Sequence, residues 1–233
     1  MVNLKLFGGT NPAAVSQAAD AVAVLGLGRF GSSVALELMS TGCQVLAVDA
    51  NAEIVQRMNT KVTHAVRADT TDEDTLRELG INEFDRVVIA IGTDIEASIL
   101  TASLVLGFGH ADVWAKAISD PHGRILAQLG VQHVIYPEKD MGRRVAHLVR
   151  NSLLDFVEIG TDFAVVRAIP PADLQGRPLA ELPVWDQHGV SVIAVKRRGG
   201  RWEPVTPETV LVSTDTIQVV GRVASVESFA GKG

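Results

Sequence analysis

Ala21-Val22-Ala23-Val24-Leu25-Gly26-Leu27-Gly28-Arg29-Phe30-Gly31 is the stretch that decides the fold. Ala21–Leu25 is a short apolar run bounded by glycine, which reads as a buried strand. The next six residues spell G-x-G-x-x-G, and a helical pattern follows over Phe30–Ser40. Strand, glycine loop and helix in that order are the context that a nucleotide-binding fingerprint requires. Gly26 permits the tight turn, Gly28 has no Cβ to keep a phosphate off the main chain, and Gly31 lets the helix pack close to the strand. The helix N-terminus then offers free N–H groups to an anion.

The same alternation continues downstream. Strands are expected at Gln44–Val48, His64–Arg67, Arg86–Ala90, Asp112–Ala115 and His133–Tyr136, with helices at Ala52–Asn59, Asp72–Glu78, Ile95–Leu106 and Pro121–Leu129. Strands alternating with helices imply βαβ units and a parallel sheet covered on both faces. The fold class is therefore α/β, a Rossmann-like doubly wound sheet.

The second strand ends in Asp49, about 20 residues beyond the loop, where a carboxylate can accept both hydroxyls of an adenosine ribose and would repel a 2′-phosphate. Ligands of such sheets sit beyond the carboxyl ends of the strands. That rule singles out Ala68 and Asp69 after the third strand, Ile91 and Gly92 after the fourth, Lys116 after the fifth and Glu138 after the sixth. Arg29 either reaches a terminal phosphate bidentately or is solvated, and spacing alone does not choose.

Composition narrows the function. The chain has 233 residues and a formal net charge of −6, which disfavours a general nucleic-acid binder. One cysteine, Cys43, excludes a disulfide framework, and its place before a strand reads as a small buried residue. No apolar run reaches the roughly 18 residues of a membrane span. Residues 1–20 read as a mobile leader with no secretory character.

After Tyr136 the rhythm breaks. Residues 139–155 read as one long helix with Met141, Val145, Leu148 and Leu153 on its apolar side. A β-rich region follows, with strands at Phe163–Ala168, Ser191–Lys196 and Thr216–Val220. His188, in Asp186-Gln187-His188-Gly189, reads as a solvated turn residue. Lys196-Arg197-Arg198-Gly199-Gly200-Arg201 reads as a charged hairpin tip, or alternatively as a contact for an anion or a lipid headgroup.

Gly26–Gly31 as G-L-G-R-F-G, Leu46-Ala47-Val48-Asp49, Ala90-Ile91-Gly92 and Tyr136-Pro137-Glu138-Lys139-Asp140-Met141-Gly142 together resemble the KtrA/TrkA-type RCK proteins over about residues 20–230. The resemblance implies a Rossmann RCK-N domain over 21–138, a crossover helix over 139–155 and a small α+β RCK-C lobe over 156–233. It also implies a cytoplasmic regulatory subunit, peripheral to the membrane, that forms homodimers and an octameric ring. That ring would gate a KtrB- or TrkH-like potassium channel or transporter through ATP- or ADP-dependent changes of shape. NAD(H) is the alternative ligand. By matched position, Gly26, Gly28, Arg29, Phe30 and Gly31 hold phosphates, with Arg29 on the terminal one. Asp49, with Ala50 beside it, holds the ribose, Ala68 and Asp69 flank the adenine, Ile91 and Gly92 lie at ribose and phosphate, and Lys116 lies near the phosphates. Glu138 matches a dimer-interface carboxylate where Mg²⁺ or another divalent cation bridges to ATP. Some relatives bind cyclic di-AMP in the C-terminal lobe, which would correspond to about Leu174–Ile193, with Arg177 and His188.

An enzyme is the competing class. A small NAD-dependent oxidoreductase needs a proton donor near the nicotinamide, and no residue offers itself. No Walker motif, G-x-S-x-G elbow or helical metal-ligand spacing occurs. The expectation is a binding protein without catalytic residues.

Overall fold

The structure, a computed structural model, describes residues 20–109, 112–150 and 153–231. The expected leader lies outside the described residues apart from Asp20. The chain divides into two compact units that part between Glu138 and Lys139.

In the first unit β1 (Ala21–Leu25), β2 (Gln44–Asp49), β3 (His64–Arg67), β4 (Arg86–Ile89), β5 (Asp112–Lys116) and β6 (His133–Ile135) form one parallel sheet in the order β3-β2-β1-β4-β5-β6. Helices α1 (Arg29–Ser40), α2 (Ala52–Met58), α3 (Glu73–Glu78), α4 (Ile95–Gly107) and α5 (Asp120–Leu129) make the crossovers. The order of the strands reverses between β1 and β4, which opens a crevice at their carboxyl ends. Both faces are buried. Val22, Val24, Val45 and Ala47 pack one way with Ala35 and Met58, while Ala23, Leu25, Leu46 and Val48 pack the other way with Leu76, Val105 and Leu126. That double burial is why these strands are continuously apolar.

Caps set the helix starts. Asn51, Asp72 and Asp94 accept backbone N–H groups at the first turns of α2, α3 and α4. For α5 the cap is Ser119, and Asp120 and Pro121 already lie inside the helix. Cys43 is half-buried rather than buried, because it sits in the turn before β2 with Sγ 3.7 Å from Thr41 Oγ1.

Helix α6 spans Pro137–Arg150, starting two residues before the expected 139–155, and Asp155 at the far end of that range belongs to a strand. In the second unit β7 (Asp155–Ile159), β8 (Phe163–Ala168), β9 (Val190–Lys196), β10 (Trp202–Pro204) and β11 (Thr216–Arg222) form an antiparallel sheet, β10-β9-β11-β8-β7. Strict alternation in β8 and β11 turns Ala164, Val166, Ile217 and Val219 onto a core shared with Phe156, Val226 and Phe229. Val226 and Phe229 come from α8 (Val223–Ala230), and α7 (Val184–His188) leads into β9. His188 is not a solvated turn residue. Only 2% of its side chain is exposed, its ring meets Phe229 edge-on at 5.3 Å, and its Nε2 lies 3.0 Å from Asp173 Oδ2.

Candidate functional site

The crevice at the carboxyl ends of the first sheet is a cleft of about 650 Å³, within the size range of cofactor sites. Twelve of the residues singled out from the sequence line it: Gly26, Gly28, Arg29, Phe30, Asp49, Ala50, Ala68, Asp69, Ile91, Gly92, Lys116 and Glu138. Gly31 does not, and its task is mechanical. A Cβ there would stand 1.9 Å from the Gly26 carbonyl oxygen and 2.9 Å from Ala90 Cβ, so only glycine lets α1 meet the loop.

The loop is built from backbone. Gly26 has φ +94°, a left-handed conformation suited to glycine. Its N–H donates to Val48 O at 2.8 Å, which ties the turn to β2. Gly28 caps α1 with no side-chain bond, and a Cβ built on it meets nothing within 4 Å. The amides at the start of α1 therefore face open space, the arrangement that receives an anion. A phosphate-bearing ligand fits this cradle.

Asp49 ends β2 with both oxygens in use. The Leu27 N–H donates to Oδ2 at 2.6 Å, and the Asn51 N–H donates to Oδ1 at 2.8 Å. The carboxylate thus pins the glycine loop to the β2–α2 turn. A carboxylate has about four acceptor positions, so it still has capacity for hydroxyls. Behind it, Arg67 Nε donates to Ala50 O at 3.1 Å. Asp69 accepts from the N–H and hydroxyl of Thr71 at 2.9 and 2.7 Å, which holds the β3–α3 turn.

Cations gather at the other end. Lys116 Nζ lies 2.6 Å from Glu138 Oε1 and 5.8 Å from the centre of the Phe30 ring. The Lys116 side chain is 11% exposed, whereas Glu138 is 63% exposed. The hydrogen bond from Lys116 holds the Glu138 carboxyl below the usual carboxylate range, with the Arg29 charge acting in the same direction. Gly92 completes this end, since a Cβ there would lie 3.2 Å from Lys116 Nζ. Among the described residues no three His, Cys, Asp or Glu side chains converge to hold a metal. Glu138 alone, already engaged by Lys116, does not make a cation site within one chain.

Thr70, next to Ala68 and Asp69 after the third strand, lines the cleft with them, whereas sequence reasoning missed Asn51, Ile54, Thr93, Asp94, Ala97 and Ile118. A usable signal existed for Asn51 and Asp94, because an Asx residue between a strand end and a helix is a cap at the mouth of the crevice. Among the described residues the lining contains no His, Cys, Ser or Tyr. In the second unit, the stretch expected for cyclic di-AMP forms tight 3₁₀ turns, α7 and the start of β9, with His188 buried in it.

Comparison with known proteins adds to this geometry. Residues 22–137 match the family model of the TrkA-N domain, and residues 163–231 match that of the TrkA-C domain. The chain is 36% identical over 210 residues to the Ktr system potassium uptake protein C of Bacillus subtilis, covering 89% of this chain and 94% of that one. It is 38% identical over 200 residues to the Ktr system potassium uptake protein A of Vibrio alginolyticus, covering 85% and 91%. Among solved structures, the GsuK RCK domain superposes with a TM-score of 0.63 at 16% identity over 93% of this chain and 49% of that one. The GsuK channel bound to NAD gives 0.63 at 17% identity, over 93% and 40%. At that identity the likeness is one of fold, and the fold is that of an RCK domain. Among the described residues no helix is long and apolar enough to cross a membrane.

Proposed function

Because the chain belongs to the TrkA-N/TrkA-C family of Ktr- and Trk-type potassium uptake proteins, we propose that it is a nucleotide-binding regulatory subunit of a membrane potassium channel or transporter. It acts from the cytoplasmic face and takes ATP or ADP in the cleft of the first unit. The observation that carries this reading is the open glycine cradle at Gly28, with a carboxylate at one end of the cleft and two cations at the other.

The residues divide the work by chemistry. The amides after Gly28 and the cations Arg29 and Lys116 suit phosphates. Asp49 suits the ribose hydroxyls while keeping the loop in place. Ala68 and Asp69 frame the base. A bound nucleotide supplies a terminal phosphate whose presence or absence changes the charge at the Arg29–Lys116 end. A ligand shifts a two-state protein only by its differential affinity for the two states, so discrimination between ATP and ADP is the source of any gating. A divalent cation at Glu138 would take its remaining oxygens from outside this chain. NAD(H) is the second reading, because Asp49 reads a ribose common to all these nucleotides.

Calorimetric titration with ATP, ADP, NAD and NADH, with and without Mg²⁺, tests this. ATP and ADP are expected to bind, and Gly28→Asp is expected to abolish binding by placing a carboxylate against the phosphate. Tighter NAD or NADH binding would move the ligand to the second reading. Binding that survives Gly28→Asp would remove the cradle from the site.

A further inference from the structure

The β9–β10 hairpin belongs to the second unit, whereas the cleft belongs to the first. It lies at the edge of the second sheet, with Trp202 paired to Lys196 and the tip closed by Gly199 at φ +73° and by a bond from the Gly200 N–H to Arg197 O. Its six-residue tip carries Lys196, Arg197, Arg198 and Arg201 and no carboxylate, on a chain whose net charge is −6. The four cations are not equivalent. Arg197 is held at the base by Asp215, itself 1% exposed, and by Val210 O at 3.0 Å. That anchor stiffens the hairpin. Lys196, Arg198 and Arg201 are exposed, and none makes an ion pair or side-chain hydrogen bond with a described residue.

We propose that this tip docks the protein onto an anionic phospholipid surface. Antiparallel partners share a face, so Lys196 and the half-buried Trp202 stand together opposite the face that buries Val195. An indole beside free cations is the pairing that settles at a headgroup boundary, ring in the interface and charges on the phosphates. A free phosphate is a poorer match, because the tip offers no cradle of N–H groups and the Gly200 N–H is already spent. A polynucleotide is poorer still. It needs a broad basic face, and here the free positive charge is confined to one turn. Each basic residue close to an anionic leaflet strengthens binding about fivefold. Three such residues give a weak contact that orients a protein already brought to the membrane, and repetition in an assembly multiplies it.

The test is co-sedimentation of the full chain with phosphatidylcholine vesicles and with mixed phosphatidylcholine–phosphatidylglycerol vesicles, at low and high salt. Binding is expected only to the mixed vesicles and is lost at high salt. The K196E/R198E/R201E variant is expected to bind at least about tenfold more weakly, with an unchanged melting temperature, since Arg197 and its anchor are left intact. If the triple variant melts early, Arg198→Glu alone is used, with a loss of about fivefold or more expected. Equal binding of variant and parent, or no binding of the parent to mixed vesicles, overturns the proposal. So does retention of a single-stranded oligonucleotide in preference to vesicles.

Discussion

Asp49 and Asp215 do related work in the two units. Each is a carboxylate that accepts backbone N–H groups and fixes a turn. Asp49 holds Leu27 and Asn51, yet it lines the cleft and keeps acceptor capacity facing it. Asp215 accepts from Val212 N at 2.9 Å and from Arg197, and it is sealed from solvent. The first unit leaves its polar groups partly unspent around an open crevice. The second pairs most of its charged groups with one another, as in Arg144–Asp155–Arg167 and His147–Glu227, although Asp215 Oδ1 is buried without a hydrogen-bond partner among the described residues. Acceptor capacity that faces an open cleft marks a ligand site, and a carboxylate buried against its partner marks a staple.

The largest effect separates two glycines of one loop. Gly31→Ala puts a methyl group 1.9 Å from the backbone oxygen of Gly26. It is expected to destabilise the protein by at least about 3 kcal/mol, since backbone must move. Gly28→Ala meets nothing within 4 Å. It should leave the melting temperature within a degree or two while weakening nucleotide binding. Urea unfolding and calorimetry on the two variants check this. A stable Gly31→Ala protein would mean that the loop is not the close contact described.

On the other side of the comparison, Asp215→Asn keeps the shape and removes the charge. The Arg197 guanidinium loses its partner but reaches water, so the expected loss is about 1–3 kcal/mol in urea unfolding. Nucleotide affinity should not change. An unaffected stability would show that Asp215 is no staple.

These two carboxylates also show what the sequence made legible. Asp49 was readable because its place is defined by local order: a strand, a glycine loop, a helix and a second strand, each period visible in apolar spacing. All six parallel strands were anticipated within a residue or two, and the central pair β1 and β2 stands out because burial on both faces makes their inner residues apolar. Asp215 was not readable, because its partner Arg197 is distant in the chain and reaches it only when β9 and β11 pair. The same reason hid β7. Asp155–Ile159 falls between the end of the expected helix at 155 and the first strand expected after it at Phe163, and only pairing with β8 makes it a strand. His188 was misread because its neighbours in sequence are polar, whereas the residues that bury it come from α8.

A medium effect tests the unspent end of the cleft. Arg29→Ala removes one of two cations there and leaves Lys116. If Arg29 meets the terminal phosphate, ATP affinity should fall by roughly 10- to 100-fold, the worth of a charge-assisted bond. ADP affinity should fall by less than about threefold, well within the worth of one ordinary hydrogen bond. Equal losses would assign Arg29 to a phosphate that both nucleotides share.

The smallest effect concerns a polar group that neither pattern explains. His122 is 2% exposed in the first unit. Its Nδ1 accepts from the Ile118 N–H at 3.4 Å, and its Nε2 has no hydrogen-bond partner among the described residues. Burial lowers its pKa, and His64 is lowered by the same cause. The unfolded chain, with histidines near 6.5, therefore binds these protons more readily than the folded one. Their contribution to stability is full above about pH 6.5 and is lost as the pH falls below it, with a slope of at most about 1.4 kcal/mol per pH unit for each site. His122→Asn retains an acceptor near the Nδ1 position and cannot take up a charge. It should lower stability at neutral pH by leaving a void, yet lose less than the parent between pH 7.5 and 5.5. Urea midpoints measured at both values read the difference. Parallel losses in parent and variant would mean that His122 is already hydrated in the folded state, which would make it one more unspent group of the first unit rather than an exception to it.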